Sequence, residues 1–308
     1  MFPIIPANSV AAASGNDEGI FGFGNTGSPT GVTNLVSNAG VVATDTAGVG
    51  TARYSPAACE YGGDKGIFGF GGNYITSSTT FSTTNLVSNA GVVATDTAGV
   101  GTARYYLSAC GYGEDKGIFG FGKTESPATL HGVTNLVSNT GVVATDTAGV
   151  GTARYYQAAC EYGGDKGIFG YGDVTTGGGG LVGYTNLVSN AGVVATDTAG
   201  VGSARKALAA CEYGGDKGIF GFGTTGSMVS ISNLVSNAGV VATDTAGVGT
   251  VRQDIAACGY GGDKGIFGFG YGASFESMTN LVSNTGVVAT DTAGVGTATN
   301  NRAACSFN

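Results

Sequence analysis

One histidine, His131, serves the whole 308-residue chain, and lysine and arginine together number 13 against 21 aspartates and glutamates. A net charge of −8 with so few cations excludes nucleic-acid binding, because a phosphate backbone demands clustered Lys and Arg. There is no CxxC motif and no Cys/His pair to hold a metal, so neither a metal nor a cofactor is expected. No apolar run approaches 18 residues, which removes a transmembrane helix from consideration. The opening Met1-Phe2-Pro3-Ile4-Ile5-Pro6 lacks the basic and long apolar regions of a secretory signal. Stretches that favour helix are almost missing as well.

Glycine fills much of the space those absences leave, at 59 residues, yet without a Gly-X-Y period. Apolar residues still make up 42%, enough to build a core. The dominant feature is repetition. Lys-Gly-Ile-Phe-Gly-Phe-Gly recurs almost letter for letter, its isoleucines falling at Ile20, Ile67, Ile118, Ile168, Ile219 and Ile266. Each copy is followed by Asn-Leu-Val-Ser-Asn, then by Gly-Val-Val-Ala-Thr-Asp-Thr-Ala-Gly-Val-Gly, then by Ala-Cys. A fixed period of roughly fifty residues with four short apolar runs inside it is the signature of a repeat architecture. The chain has six units.

Within the second unit, Ala57-Ala58-Cys59-Glu60-Tyr61 is a short run with no helical period. It ends in Gly62-Gly63-Asp64-Lys65-Gly66, residues that accept the positive φ of a hairpin turn. Ile67 to Gly71 reads as a second strand, its bare glycines allowing close approach of a neighbour. Thr84 to Ser88 reads as a third, Asn89-Ala90-Gly91 as a tight turn, and Val92 to Asp96 as a fourth. Four short antiparallel strands form a sheet that cannot cover both its faces alone; stacked radially, such sheets become blades. The reading is an all-β, six-bladed β-propeller with four antiparallel strands per blade and the small Ala-Ala-Cys strand innermost.

The pattern Thr-Ala-Arg, apolar strand, Gly-containing turn and second strand ending in glycine, as in Thr102-Ala103-Arg104 through Gly122, resembles the kelch repeat. The kelch Gly-Gly doublet survives at Gly71-Gly72, and the chain has no tryptophan. The resemblance implies the propeller fold. The nearly verbatim unit also resembles repeats of tail, fibre and other virion proteins of tailed phages, over residues 17–308. That likeness implies a non-enzymatic virion structural or recognition protein, made in the host cytoplasm without a signal peptide. Its partners would be other virion proteins or a host-surface glycan or receptor. A stand-alone lectin-like propeller is the alternative.

A closed ring needs an inner strand for its first blade. Val10 to Ser14 and Ala303 to Asn308 both fit; the second keeps the cysteine and an aromatic, so residues 303–308 are expected beside Ile20–Gly24. The domain then runs from 15 to 308. Residues 1–14 become an N-terminal arm, free or docked on a neighbouring subunit.

Comparison of the units with one another locates a candidate binding face. The Gly-Gly-Asp-Lys-Gly and Ser-Asn-Ala-Gly turns hardly change, whereas the loop after the second strand and the triplet after the arginine position change completely. In a four-stranded meander these two variable regions emerge at one end. Diversified loops on an unvarying scaffold are how recognition surfaces are usually built. The aromatic residues and histidine there, Tyr74, Phe81, His131, Tyr184, Tyr271, Phe275, Tyr105 and Tyr155, are the candidate binding residues.

Two replicated sets look like sites and are read as structure. Aspartates Asp45, Asp96, Asp146, Asp197, Asp244 and Asp291 sit in Thr-Asp-Thr, an arrangement suited to tying down the following turn. An arginine stands eight positions later in five units, Arg53, Arg104, Arg154, Arg205 and Arg252, with Thr299 in the sixth, so Asp–Arg pairs between blades are possible. Catalysis needs a local group with distinct pKa values rather than a symmetric ring. The six cysteines, one per unit, are expected as buried free thiols because equivalent sites lie too far apart for a disulfide.

Overall fold

The computed structural model describes residues 17–73 and 79–307. Each repeat unit contributes to one three-stranded antiparallel sheet, giving six such sheets, with no helix among the described residues. In the second sheet, Ala57–Tyr61 pairs with Lys65–Gly69, which pairs with Thr84–Val87. The aromatic and β-branched runs form these strands, and the Gly/Asp clusters between them supply the turns.

The expected fourth strand is reduced to two isolated bridges, Val87↔Val93 and Thr84↔Thr97, with one extra residue on the outer segment between them. The cause is Asn85. Its buried amide donates to the Ala94 carbonyl at 3.0 Å and to the Asp96 carboxylate at 2.9 Å, so the outer segment bends around that side chain. The extra residue behaves as a bulge, and the sheet is three-stranded with a bridged rim.

The Ala-Cys strands adjoin one another in succession, and the last, Ala303–Phe307, adjoins the first, Ala57–Tyr61. Ala303–Phe307 also pairs with Glu18–Gly22, from Glu18↔Phe307 to Gly22↔Ala303, so the two ends of the described chain complete one sheet. Residues 1–14, the expected arm, lie outside the described residues.

The core is six copies of one interface between neighbouring sheets. Between the second and third it contains Cys59, Tyr61, Ile67, Phe70, Leu107, Phe119 and Val137. The glycines of Gly-Ile-Phe-Gly make the contact possible. A Cβ on Gly117 would lie 2.5 Å from Cys59 Sγ, and one on Gly69 would lie 2.8 Å from the Phe119 ring. All six cysteines are free and buried, and burial pushes their thiols far above the ordinary range.

Charged side chains clasp the same interfaces. Asp96 does not tie its own turn; it accepts from the Thr51 amide at 3.0 Å and the Thr51 hydroxyl at 2.6 Å, across to the preceding unit. The pattern repeats to Asp45, whose donor Thr297 is 252 residues away. Arg53, fully buried, donates to Asn85 Oδ1 at 2.7 Å and lies 4.1 Å over the Phe23 ring. Its ion pair with Asp96 is long, 3.9 Å. In the sixth unit Arg302, not position 299, fills this place: its Nη1 donates to Asn34 Oδ1 at 2.8 Å and its guanidinium lies 4.1 Å over Phe269.

Candidate functional site

Six residues at one end of the axis, one per unit, have φ between 53° and 59°: Ser55, Tyr106, Tyr156, Ala207, Asp254 and Asn301. Left-handed backbone costs a side-chain-bearing residue roughly 1–2 kcal/mol. Here it turns each amide onto the preceding unit. Tyr106 N donates to Ser55 O, Tyr156 to Tyr106, Ala207 to Tyr156, Asp254 to Ala207, Asn301 to Asp254 and Ser55 to Asn301, at 2.8–3.3 Å. The hydrogen bonds form a closed cycle of six.

One position earlier stand Tyr54, Tyr105, Tyr155, Lys206, Gln253 and Asn300, each bridged to the start of a variable loop, at Gly72, Lys123, Asp173, Thr224, Tyr271 and Asn25. Both variable regions therefore meet at this end. Every bond that makes the rings is backbone to backbone, so the side chains are free to differ.

They differ by halves. Along the third and fourth units the surface is aromatic: Tyr106 and Tyr156 stack with ring centroids 3.7 Å apart, flanked by Tyr105 at 4.7 Å and Tyr155 at 4.8 Å. Lys206 Nζ lies 5.8 Å from the Tyr156 ring and 2.8 Å from Asp173, and Lys123 Nζ lies 5.5 Å from the Tyr155 ring. The Tyr105 hydroxyl donates to Glu125. Burial pushes the Tyr155 hydroxyl up to about 12, with Asp173 and Glu125 adding to it. The opposite half is polar, made by Gln253, Asp254, Asn300, Asn301 and Ser55. There burial drives the Asp254 carboxyl up to about 7, against the Lys206 charge and hydrogen bonds from Gln253 and Asn300.

The residues singled out in the sequence are spread over this end. Tyr105 and Tyr155 are buried, whereas Tyr106 and Tyr156 beside them are half-exposed. Tyr184 is exposed. Tyr271 and Phe275 are half-buried and meet edge to face at 5.9 Å, and Phe81 is half-buried with its amide on Gly71 O. His131 is half-buried, its Nε2 3.2 Å from Thr124 Oγ1; burial, then Arg104, hold its pKa below the ordinary value. Tyr74 lies outside the described residues. Tyr106, Tyr156 and Asp254 are not among the expected binding residues, although each is the middle member of a variable triplet.

The other axial end holds a second set. A cavity of about 50 Å³ is lined by all six inner strands and includes Glu60, Glu161 and Glu212, with Gly111, Gly259 and Ser306 in the matching places. The small residues make room for the large ones: a Cβ on Gly111 would fall 1.4 Å from Glu161 Oε1. Burial, and then the neighbouring Glu60, raise the Glu161 carboxyl well above the usual range and Glu212 to about 8. Among the described residues no three His, Cys, Asp or Glu side chains are grouped to hold a metal. Comparison with protein-family models and with curated proteins finds no match for the chain.

Proposed function

We propose that the six sheets are the blades of a kelch-like six-bladed β-propeller. On this reading the chain is a non-enzymatic recognition protein that binds through its variable end. What carries it is the contrast within one ring: six identical backbone positions bear the Tyr106–Tyr156 stack on one side and Asp254 and Asn301 on the other. A purely mechanical ring needs no such asymmetry, whereas a ligand with an apolar side and a hydrogen-bonding side fits it. Part-exposed tyrosines are the residue type that anchors interfaces. The resemblance of the unit to tailed-phage repeats supports a virion component, a tail, fibre or head decoration, whose partner is a host-surface receptor or another virion protein.

A second reading, a lectin-like module, is favoured by the same half-exposed tyrosine stack, since aromatic faces take up the apolar face of a sugar ring. The test is binding of the purified chain to whole host cells, to isolated virion proteins and to a glycan array, each repeated with a Tyr106→Ala/Tyr156→Ala variant. Recognition at this end predicts at least a tenfold loss of one of these interactions in the folded variant. Binding that is unchanged in the variant overturns it.

A further inference from the structure

Beneath the hydrogen-bonded ring at the variable end is a cavity of about 70 Å³ on the axis, lined by Ser55, Tyr106, Tyr156, Asp254, Asn301 and Arg302 among others. Its polar inventory is unbalanced. Ser55 is only 5% exposed, and its Oγ has no hydrogen-bond partner; Asp254 Oδ1 is buried and has none either. Gln157, which also lines the cavity, leaves its Oε1 buried and unpaired. Buried polar atoms normally find partners, because an unmet one costs the desolvation of the group.

The carbonyl oxygens of the ring each accept one amide and keep a second lone pair free to take a further partner. Nearby cations do not balance them. Lys206 Nζ is held by Asp173 at 2.8 Å. Arg302 directs its Nη atoms to oxygens of Asn34, Phe21 and Val32, leaving only its Nε unpaired.

We propose that this axial cavity binds one calcium-sized hard cation, with Asp254 Oδ1 and Ser55 Oγ as side-chain ligands and ring carbonyl oxygens as the others. Oxygen donors of this kind, with one carboxylate and several neutral oxygens, suit a hard ion rather than a thiophilic one. A single carboxylate implies weak binding, of the order of the 10⁻⁴–10⁻³ M seen in extracellular calcium modules. The ion would join the units at the point where their backbones already meet, independently of whichever partner the face recognises.

Terbium(III) tests this directly, since the chain has no tryptophan and Tyr106 and Tyr156 line the cavity. The expected result is tyrosine-sensitised terbium emission that saturates at one ion per chain and is displaced by Ca²⁺. Binding should be at least tenfold weaker in Asp254→Asn, severalfold weaker in Ser55→Ala and unchanged in Glu212→Gln, at the far end of the axis. If Asp254→Asn does not fold, as judged by circular dichroism, Ser55→Ala alone decides. A terbium affinity that is unchanged in the folded Asp254 or Ser55 variant, or reduced only in Glu212→Gln, overturns the assignment.

Discussion

The two ends of the axis share one backbone plan and differ in where their side chains are allowed to change. At the end of the constant turns, Gly62 N donates to Asp115 O, Gly113 to Asp165, Gly163 to Asp216, Gly214 to Asp263 and Gly261 to Asp17, at 2.7–2.8 Å. At the variable end the six-membered ring of amides does the same work. Both are backbone contacts, indifferent in principle to sequence. The turns at the first end keep glycine at the Gly62 place, where φ is 67°, and in the Gly40 turn, which is pressed against the Tyr260 ring; at the Gly63 place, φ 77°, the third unit carries Glu114 at φ 69°. The ring at the other end already places tyrosine, alanine, aspartate and asparagine at positive φ, so its side chains can change at little cost to the fold. Interfaces clasped by side chains, through Asp, Thr, Asn and Arg, repeat in almost every unit because their chemistry resides in the side chains.

Breaking closure should have the largest effect. Arg302→Ala removes a buried, hydrogen-bonded cation, and leaves Asn34 Oδ1 unpaired; a loss of about 3–5 kcal/mol in denaturant unfolding is expected. Deleting residues 303–308 should cost several kcal/mol and promote aggregation, because the Glu18–Gly22 strand loses its partner.

A clasp in the middle of the ring comes next. Asp146→Ala removes acceptors for the Thr102 amide and hydroxyl and for Asn135, at a cost of about 2–3 kcal/mol at pH 7. Although partial burial raises the Asp146 pKa, the hydrogen bonds from Thr102 and Asn135 outweigh it and hold the carboxyl below its ordinary value of 3.8. Its contribution is therefore present above that value and lost as pH falls through the folded pKa. The difference between wild type and Asp146→Ala in urea melts should shrink on acidification below pH 4.

The axial glutamates carry the opposite sign. Glu212 is raised from 4.5 to about 8, so the neutral acid is favoured by the fold. That stability is complete below about pH 4.5 and is lost as pH rises through 8. Glu212→Gln should raise stability by roughly 1–2 kcal/mol at pH 8.5, screening by solvent in the part-exposed cavity reducing the full shift, and should change little at pH 4.5. Thermal melts at the two pH values check both the size and the sign.

The smallest effect on stability belongs to the variable end. Tyr156→Ala gives up ring contacts with Tyr106 and Tyr155 and should cost about 1 kcal/mol in urea unfolding, while lowering partner affinity at least tenfold. A large loss of stability with unchanged binding would make this face part of the scaffold.

The strands and the all-β class were legible in the sequence, since aromatic and β-branched runs alternate with Gly/Asp turns at every unit. So was the pairing of Ala303–Phe307 beside the first unit, because Ala-Ala-Cys followed by an aromatic reappears there. Local reading failed where the partner is remote. Asp96 suggested a turn within its own unit, but its donor Thr51 belongs to the unit before. The eight-residue offset gives Thr299 and no arginine in the sixth unit; the guanidinium arrives from Arg302, three residues later, since the interface and not the sequence offset decides which side chain can reach Asn34. Tyr106 and Tyr156 were obscured by their neighbours Tyr105 and Tyr155: nothing in a Tyr-Tyr pair says which ring the positive φ turns outward.

A double-mutant cycle between Arg302 and Asn34, residues that meet only if the sheets close on themselves, tests that closure most directly. Urea unfolding of Arg302→Ala, Asn34→Ala and the double variant should give a coupling energy of about 1.5–3 kcal/mol, the range for a hydrogen bond to a charged group. The same cycle on Arg53 and Asn85, which pair between adjacent units at 2.7 Å, should give a matching value. Coupling near zero for Arg302 and Asn34, beside a normal value for Arg53 and Asn85, would mean that the ring is open and would contradict the account.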